Sequence, residues 1–244
     1  MRAWLSPEGR LFNPAPSVSV LPLTRDRHCV VIDNALAHPE GLLDWARSSM
    51  FVRAHGNAYP GVLVETAPEV TQLMADYFAQ HVRARLGGRR TLSANIRLSM
   101  VTLPPAELQP CQWQCHRDRV ASDPRETLFA ASVLYLFRDP ALGGTSFYVP
   151  RQSAAQTDRL VADSLTLDAS EFSTRYGLQP GYMDGSNAYF ERIAQVPAAW
   201  NRAIFYDGGL FHSADLQLPA SLDPDPMRGR LTLNGFFHCK RNAG

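Results

Sequence analysis

Between residues 91 and 237 the sequence holds five short runs that alternate like strands. They are TLSANIRLSMVTL (91–103), LFAASVLYLF (128–137), GTSFYV (144–149), RAIFYD (202–207) and RLTLNGFF (230–237). Turn-rich pieces such as LPPAELQP, RDPALGG, DGG and ASLDPDPMRG separate them. Helices do not alternate regularly with these runs. That argues against a parallel α/β sheet and for an antiparallel barrel or double-sheet sandwich. The segment 151–200 interrupts the series with helical-looking stretches and the Tyr/Phe-rich GYMDGSNAYF, and is expected to be an inserted lid or wall.

The residues before His28 are irregular and dotted with prolines, and HCVVIDNAL (28–36) reads as a strand or buried run. His38-Pro39-Glu40 opens a short helix carrying Leu42, Leu43, Trp45 and Ala46. A second helix is expected from near Pro68. Val70, Leu73, Met74, Tyr77, Phe78, His81 and Val82 recur at helical spacing, and Gly87-Gly88 stops it. The expected organisation is one mainly β (α+β) domain over residues 1–244. Its parts are an N-terminal strand and supporting helices (1–90), a β core (91–150 and 201–240) and the insertion (151–200).

Composition narrows the function. With 244 residues, 45% of them hydrophobic, the chain can bury a large core. A net charge of +1 excludes a general electrostatic grip on nucleic acid or anionic lipid, and no basic stripe interleaved with aromatics is present. Neither nucleic acid nor membrane is expected as a partner. No run approaches the ~20 apolar residues of a membrane helix. The N-terminus, MRAWLSPEGRLF, has charge and proline where a signal peptide needs an apolar run. Cys29, Cys111, Cys115 and Cys239 are too few and too scattered for a disulfide scaffold. A soluble, cytoplasmic protein with reduced thiols is expected. Lys240 is the only lysine among 24 cations, so an anionic ligand held inside falls to arginine.

The strongest chemical signal is His116-Arg117-Asp118, followed much later by His212. In a strand, residues i and i+2 point to one side, so His116 and Asp118 present an imidazole and a carboxylate together. Two His and one carboxylate on one face, with other positions open, are the ligand set of non-haem Fe(II) oxygenases. The context supports this reading. GGTSFY (143–148) follows a strand after a short turn, and His212 sits in an apolar strand behind a glycine turn. In RLTLNGFF, Arg230, Thr232 and Asn234 share one face while Leu231, Leu233 and Phe237 fill the other. An arginine on that face wants a carboxylate, which its planar fork suits.

The order H-x-D, Tyr-Leu, Gly-Gly-x-x-Phe, His, Arg-x-Thr resembles the prolyl-4-hydroxylase-like branch of the Fe(II)- and 2-oxoglutarate-dependent oxygenases. It is also similar to small bacterial members of that superfamily whose substrates are unassigned. The resemblance covers roughly residues 95–238. It implies a double-stranded β-helix core of the jelly-roll, cupin-like kind. It implies His116, Asp118 and His212 as Fe(II) ligands, and Arg230, Thr232 and Tyr135 on the far carboxylate of 2-oxoglutarate. Gly143, Gly144 and Phe147 match a structural turn and strand. The implied activity is that of an oxidoreductase, a dioxygenase using O2. It would hydroxylate or desaturate an unactivated C–H of a small-molecule, amino-acid or peptidyl substrate, releasing succinate and CO2. Halogenating relatives lack the carboxylate that Asp118 retains. One departure is the long gap from His212 to the basic residue, which an extended hairpin loop at PASLDPDPMRG explains. That loop makes Arg228, of the same strand parity, a rival. Arg230 is preferred because Thr232 completes its motif and Arg228 lies in the turn.

Arg97, on one face with Asn95 in the strand before the H-x-D, is a candidate contact for an acidic substrate group. Tyr182, Tyr189, Phe190 and Arg192 in the insertion are candidate substrate contacts, and the same insertion leaves a homodimer interface open. A zinc reading of Cys111, Cys115 and His116 with His238 and Cys239 has the wrong spacing and competes for His116. Two other functions are consistent with the chain: a catalytically inactive β-barrel that binds a small acid or a partner protein, and a cupin-like metalloenzyme that does not use 2-oxoglutarate.

Overall fold

The computed structural model describes residues 4–53, 59–118, 125–216 and 222–241. Among the described residues there are eleven strands: β1 (Ser17–Pro22), β2 (His28–Asp33), β3 (Val52–Arg53), β4 (Gly61–Glu65), β5 (Gly88–Val101), β6 (Thr127–Tyr135), β7 (Thr145–Pro150), β8 (Phe190–Val196), β9 (Ala203–Asp207), β10 (Phe211–Ala214) and β11 (Arg230–Arg241). The α-helices are α1 (Pro39–Arg47), α2 (Pro68–Tyr77), α3 (Ala154–Thr166) and α4 (Ala169–Tyr176). Among the described residues no helix is long and apolar enough to cross a membrane.

The strands form an eight-stranded sheet, β1-β2-β9-β6-β11-β5-β4-β3, and a three-stranded sheet, β10-β7-β8, both antiparallel. An isolated bridge from His116 to His212 adds the H-x-D segment to the open edge of β10. The central strands β5-β11-β6-β9 thus face H-x-D-β10-β7-β8. This is the four-on-four arrangement of a double-stranded β-helix.

Alternation along the strands builds the layers. On β9, Phe205 packs with α1 and α2, while Ile204 and Tyr206 face the smaller sheet. On β7, Phe147 points between the sheets, and Tyr148 points outward to Leu160 of α3 and Phe172 of α4. The result is helices, large sheet, small sheet, helices. α2 runs on through a π turn at Phe78–Val82, burying Phe78 and Val82, and the chain reverses at Gly87 (φ 79°). Capping boxes, Ser153 with Gln156 and Asp168 with Glu171, start α3 and α4.

Two expectations are corrected. Residues 1–90 do more than support one face: β2 pairs with β9 and β4 with β5, so N-terminal strands extend both flanks of the large sheet. The cause is backbone demand, since the edges of β9 and β5 need partners for their N–H and C=O groups. The 151–200 segment is not all insertion, because β8 pairs with β7 as a strand of the smaller sheet. The wall proper is α3, α4 and the chain leading to β8. In the hairpin loop expected before β11, residues 219–221 lie outside the described residues. The turn that follows is closed by Arg228, whose Nε and Nη1 reach Asp223 and Asp225 at 2.7 and 2.8 Å.

Candidate metal and ligand site

Between the two sheets lies a cavity of about 520 Å³. His116, Asp118 and His212 line it. Backbone hydrogen bonds hold the H-x-D segment against the β9–β10 hairpin. The amides of His116 and His212 each donate to the other's carbonyl at 2.9 Å, and the Asp118 amide donates to the Gly208 carbonyl at 2.8 Å. A Cβ on Gly208 would lie 2.9 Å from the Phe129 carbonyl and 3.0 Å from Asp118 Cβ, so the DGG turn is what lets the segments approach. Asp118 is therefore placed by a backbone bond to a turn rather than by a continuous strand.

One ligand atom from each of the three residues lies within 4.8 Å of the others. Asp118 Oδ2 is 3.4 Å from His212 Nε2, and Oδ1 is 3.7 Å from His116 Nε2. His212 Nδ1 sits 2.9 Å from the Leu210 carbonyl, to which it donates, so Nε2 carries the lone pair. Asp118 Oδ2 is buried with no hydrogen-bond partner. A buried orphan oxygen beside two imidazole nitrogens is a donor set that a cation satisfies. Electrostatics agree with that use. The His116 side chain opens onto the cavity, and partial desolvation there together with the neighbouring His212 pushes it down to about 4. Burial works against charge on Asp118, but the His212 and His116 imidazoles and Arg97 outweigh it and hold the carboxyl below its ordinary value. Burial works against charge on His212, but Asp118, the Leu210 carbonyl and Asp207 together outweigh it and raise its value.

Elsewhere on the cavity wall stand Arg230, Thr232, Thr145 and Tyr59. Arg230 is buried. Its Nε donates to the carbonyls of Leu142 (2.9 Å) and Gly143 (3.3 Å), and Nη2 to Gly144 (2.8 Å). Gly143 has φ 73°, and a Cβ there would run into the Asp215 carbonyl, so the Gly-Gly turn that anchors the guanidinium needs its glycine. Arg228, by contrast, points to solvent and spends its charge on the loop aspartates.

The other expected residues divide. Arg97 and Tyr182 line the cavity, and the Tyr182 hydroxyl donates to the Leu103 carbonyl at 2.7 Å. Tyr135 does not line it. The residue packs in the core between the sheets, and its hydroxyl meets Thr145 Oγ1 at 2.8 Å, so it reaches the cavity only through Thr145. Tyr189 and Arg192 do not line it either: the Tyr189 hydroxyl donates to the Tyr176 carbonyl and Arg192 Nη1 to the Asp184 carbonyl. The zinc set is not assembled. Cys115 lies in the outer cluster under α3, and Cys239 in the core under α1 and α2. The sequence reading missed Tyr59 and Gln114, which both line the cavity. Tyr59 and Pro60 lead into β4, a strand too short to be read before the sheet is known.

These features define a double-stranded β-helix protein with a candidate metal centre of two imidazoles and one carboxylate. Residues 14–237 match the model of a family of unknown function, DUF6445, and the chain belongs to that family. No curated protein matches it. Similar solved structures include the non-heme alpha ketoglutarate dependent epimerase SnoN from nogalamycin biosynthesis (18% identity, TM-score 0.45, covering 90% of this chain and 83% of that one). AviO1 from Streptomyces viridochromogenes Tue57 is similar at 13% identity and TM-score 0.40, covering 96% and 93%. An N-substituted L-amino acid dioxygenase from Burkholderia ambifaria AMMD is similar at 11% and 0.38, covering 88% and 86%. Likenesses this distant leave the functional argument to the geometry of the site.

Proposed function

We propose that this chain is an Fe(II)- and 2-oxoglutarate-dependent oxygenase. One observation carries the reading: a compact two-His, one-carboxylate cluster shares a cavity with a buried arginine whose fork is set by three backbone carbonyls. His116, Asp118 and His212 would hold the iron, which supplies the oxidising chemistry once oxygen and 2-oxoglutarate have joined it. Arg230 and Thr232 would orient the far carboxylate of 2-oxoglutarate. Tyr59, which lines the cavity beside Thr232 and lies within the field of Arg230, would take the place that the resemblance gives to Tyr135. The chain's own work is positional. The Leu210 carbonyl sets the His212 tautomer, the Gly208 carbonyl fixes Asp118, and Val161, Ser164 and Leu165 of α3 wall the cavity against water. Hydroxylation or desaturation of a small-molecule, amino-acid or peptidyl substrate, with release of succinate and CO2, is the reaction proposed. The cavity volume falls in the range of small-ligand sites.

The test is metal and co-substrate loading without oxygen. Fe(II) with 2-oxoglutarate gives a weak visible charge-transfer band, and His116→Ala or His212→Ala abolishes it. Mn(II) at a hundred times its Kd adds about 2.7 kcal/mol of stability, which raises Tm by roughly 5–10 °C for a chain of this size. Well-folded protein that shows neither change refutes the reading and favours the inactive barrel. A metal shift without any response to 2-oxoglutarate points to a metalloenzyme of another kind.

A further inference from the structure

We infer that Arg97 seats a carboxylate of the substrate, so that the molecule oxidised is an acid with an apolar body. The inference rests on the oxygenase reading of the cavity and names the substrate class that this cavity takes.

Arg97 lies on β5, between Asn234 of β11 and Glu65 of β4 in register. A cation on a sheet ordinarily uses an opposing carboxylate. Here Glu65 is exposed and its Oε2 accepts from Asn95 Nδ2 at 3.0 Å. Arg97 forms no ion pair or hydrogen bond with any described residue, and its Nε is buried without a partner. What holds the side chain is aromatic. The guanidinium carbon lies 4.8 Å from the centroid of the Phe236 ring and 5.9 Å from that of Tyr59. Ring contacts fix the plane of the fork and use none of its N–H groups. Arg97 is half-buried, and a guanidinium that lines a cavity with its Nε buried and unpartnered is suited to an anion that enters from outside the fold.

The surroundings describe the rest of the ligand. Asn234, opposite Arg97, is buried and its Oδ1 has no partner, and Gln114 Oε1, also on the cavity wall, has none either. These acceptors suit a hydrogen-bond donor carried near the carboxylate. Val101, Ala131, Val133, Phe129 and Phe211 supply the apolar lining. The seat is separate from the co-substrate clamp at the level of the backbone. Asn234 is four residues along β11 from Arg230, roughly 13 Å at strand spacing, and Arg97 stands one strand further across.

Calorimetry tests this with octanoate and N-acetylphenylalanine, each against its neutral amide. The titrations use Mn(II)-loaded protein with saturating 2-oxoglutarate under nitrogen, and metal-free Arg230→Gln protein. Both acids are expected to bind at least about tenfold more tightly than their amides. Arg97→Gln removes the preference and leaves 2-oxoglutarate affinity within about threefold, whereas Arg97→Lys keeps part of it, because the charge remains and the fork is lost. Circular dichroism confirms that each variant is folded. No acid preference in the wild type overturns the inference, as does a preference that survives Arg97→Gln. A loss of 2-oxoglutarate affinity in Arg97→Gln as large as that in Arg230→Gln also overturns it, by assigning Arg97 to the co-substrate. Failure of 2-oxoglutarate to bind at all is a failure of the oxygenase reading, and the metal-free arm still reports on Arg97 alone.

Discussion

Replacing Arg230 with Gln tests the division of labour between the two arginines that flank the start of β11. Two of the Arg230 bonds to carbonyls are short, at 2.8 and 2.9 Å, and the third is weak at 3.3 Å. Each stranded buried acceptor costs about 1–3 kcal/mol. Glutamine recovers part of one bond and relieves a buried charge, so a net loss of about 2–4 kcal/mol follows. For a chain of this length that lowers Tm by roughly 5–15 °C. The ligand term is separate. Loss of a hydrogen bond from a charged group costs about 1.5–3 kcal/mol, which weakens 2-oxoglutarate binding about 10- to 150-fold. Arg228→Ala is the control, since Arg228 is exposed and its partners are the half-buried loop residues Asp223 and Asp225, and it should change neither quantity. Urea unfolding followed by circular dichroism gives the first number. Titration of 2-oxoglutarate into Mn(II)-loaded protein at 10 °C, where every variant is folded, gives the second. The reasoning is refuted if Arg228→Ala weakens 2-oxoglutarate while Arg230→Gln binds it like the wild type.

Gly143→Ala should destabilise by about 1–3 kcal/mol, since φ 73° is costly for alanine and the new Cβ meets the Asp215 carbonyl. Gly177→Ala, at φ 67° with open space around it, should cost only about 1 kcal/mol in the same urea titration. A reversed order would show that the Gly143 turn is not held as described. Alkaline stability should depend on Cys29, whose thiol burial pushes up from 9.0 to about 12. The unfolded thiol ionises first, so its stabilisation is intact below pH 9 and lost as pH rises toward 12, by up to about 1.4 kcal/mol per unit. Unfolding midpoints between pH 9 and 11 should fall less steeply in Cys29→Ala than in the wild type, and equal slopes would contradict the assignment.

Much of this was legible because strand alternation is a local property. RLTLNGFF alone separates Arg230, Thr232 and Asn234 on the cavity side from Leu231, Leu233 and Phe237 in the core. The helices at Pro39 and Pro68 were equally plain, since Pro at the first turn and an apolar stripe need no distant partner. What escaped was non-local. β4 is five residues long and carries no pattern of its own, so neither its place beside β5 nor the arrival of Tyr59 at the cavity could be read. Tyr135 shows the opposite error: its strand was right, but its hydroxyl is taken by Thr145 at the start of β7 in the facing sheet, and the ring packs in the core.

The sequence by itself determined the class of fold, the residues able to bind a metal and the preference for Arg230 over Arg228. Those follow from residue chemistry, a period of two and the order of motifs along the chain. The tertiary structure alone decided that three ligand atoms lie within 4.8 Å of one another, which depends on backbone bonds from the H-x-D segment to Gly208 and His212, some ninety residues further along the chain. It also decided that Arg97 forms no ion pair with a carboxylate among the described residues, although Glu65 stands beside it in register. A side chain's partner is chosen by the competition among all groups that folding brings within reach, and no single strand contains that information.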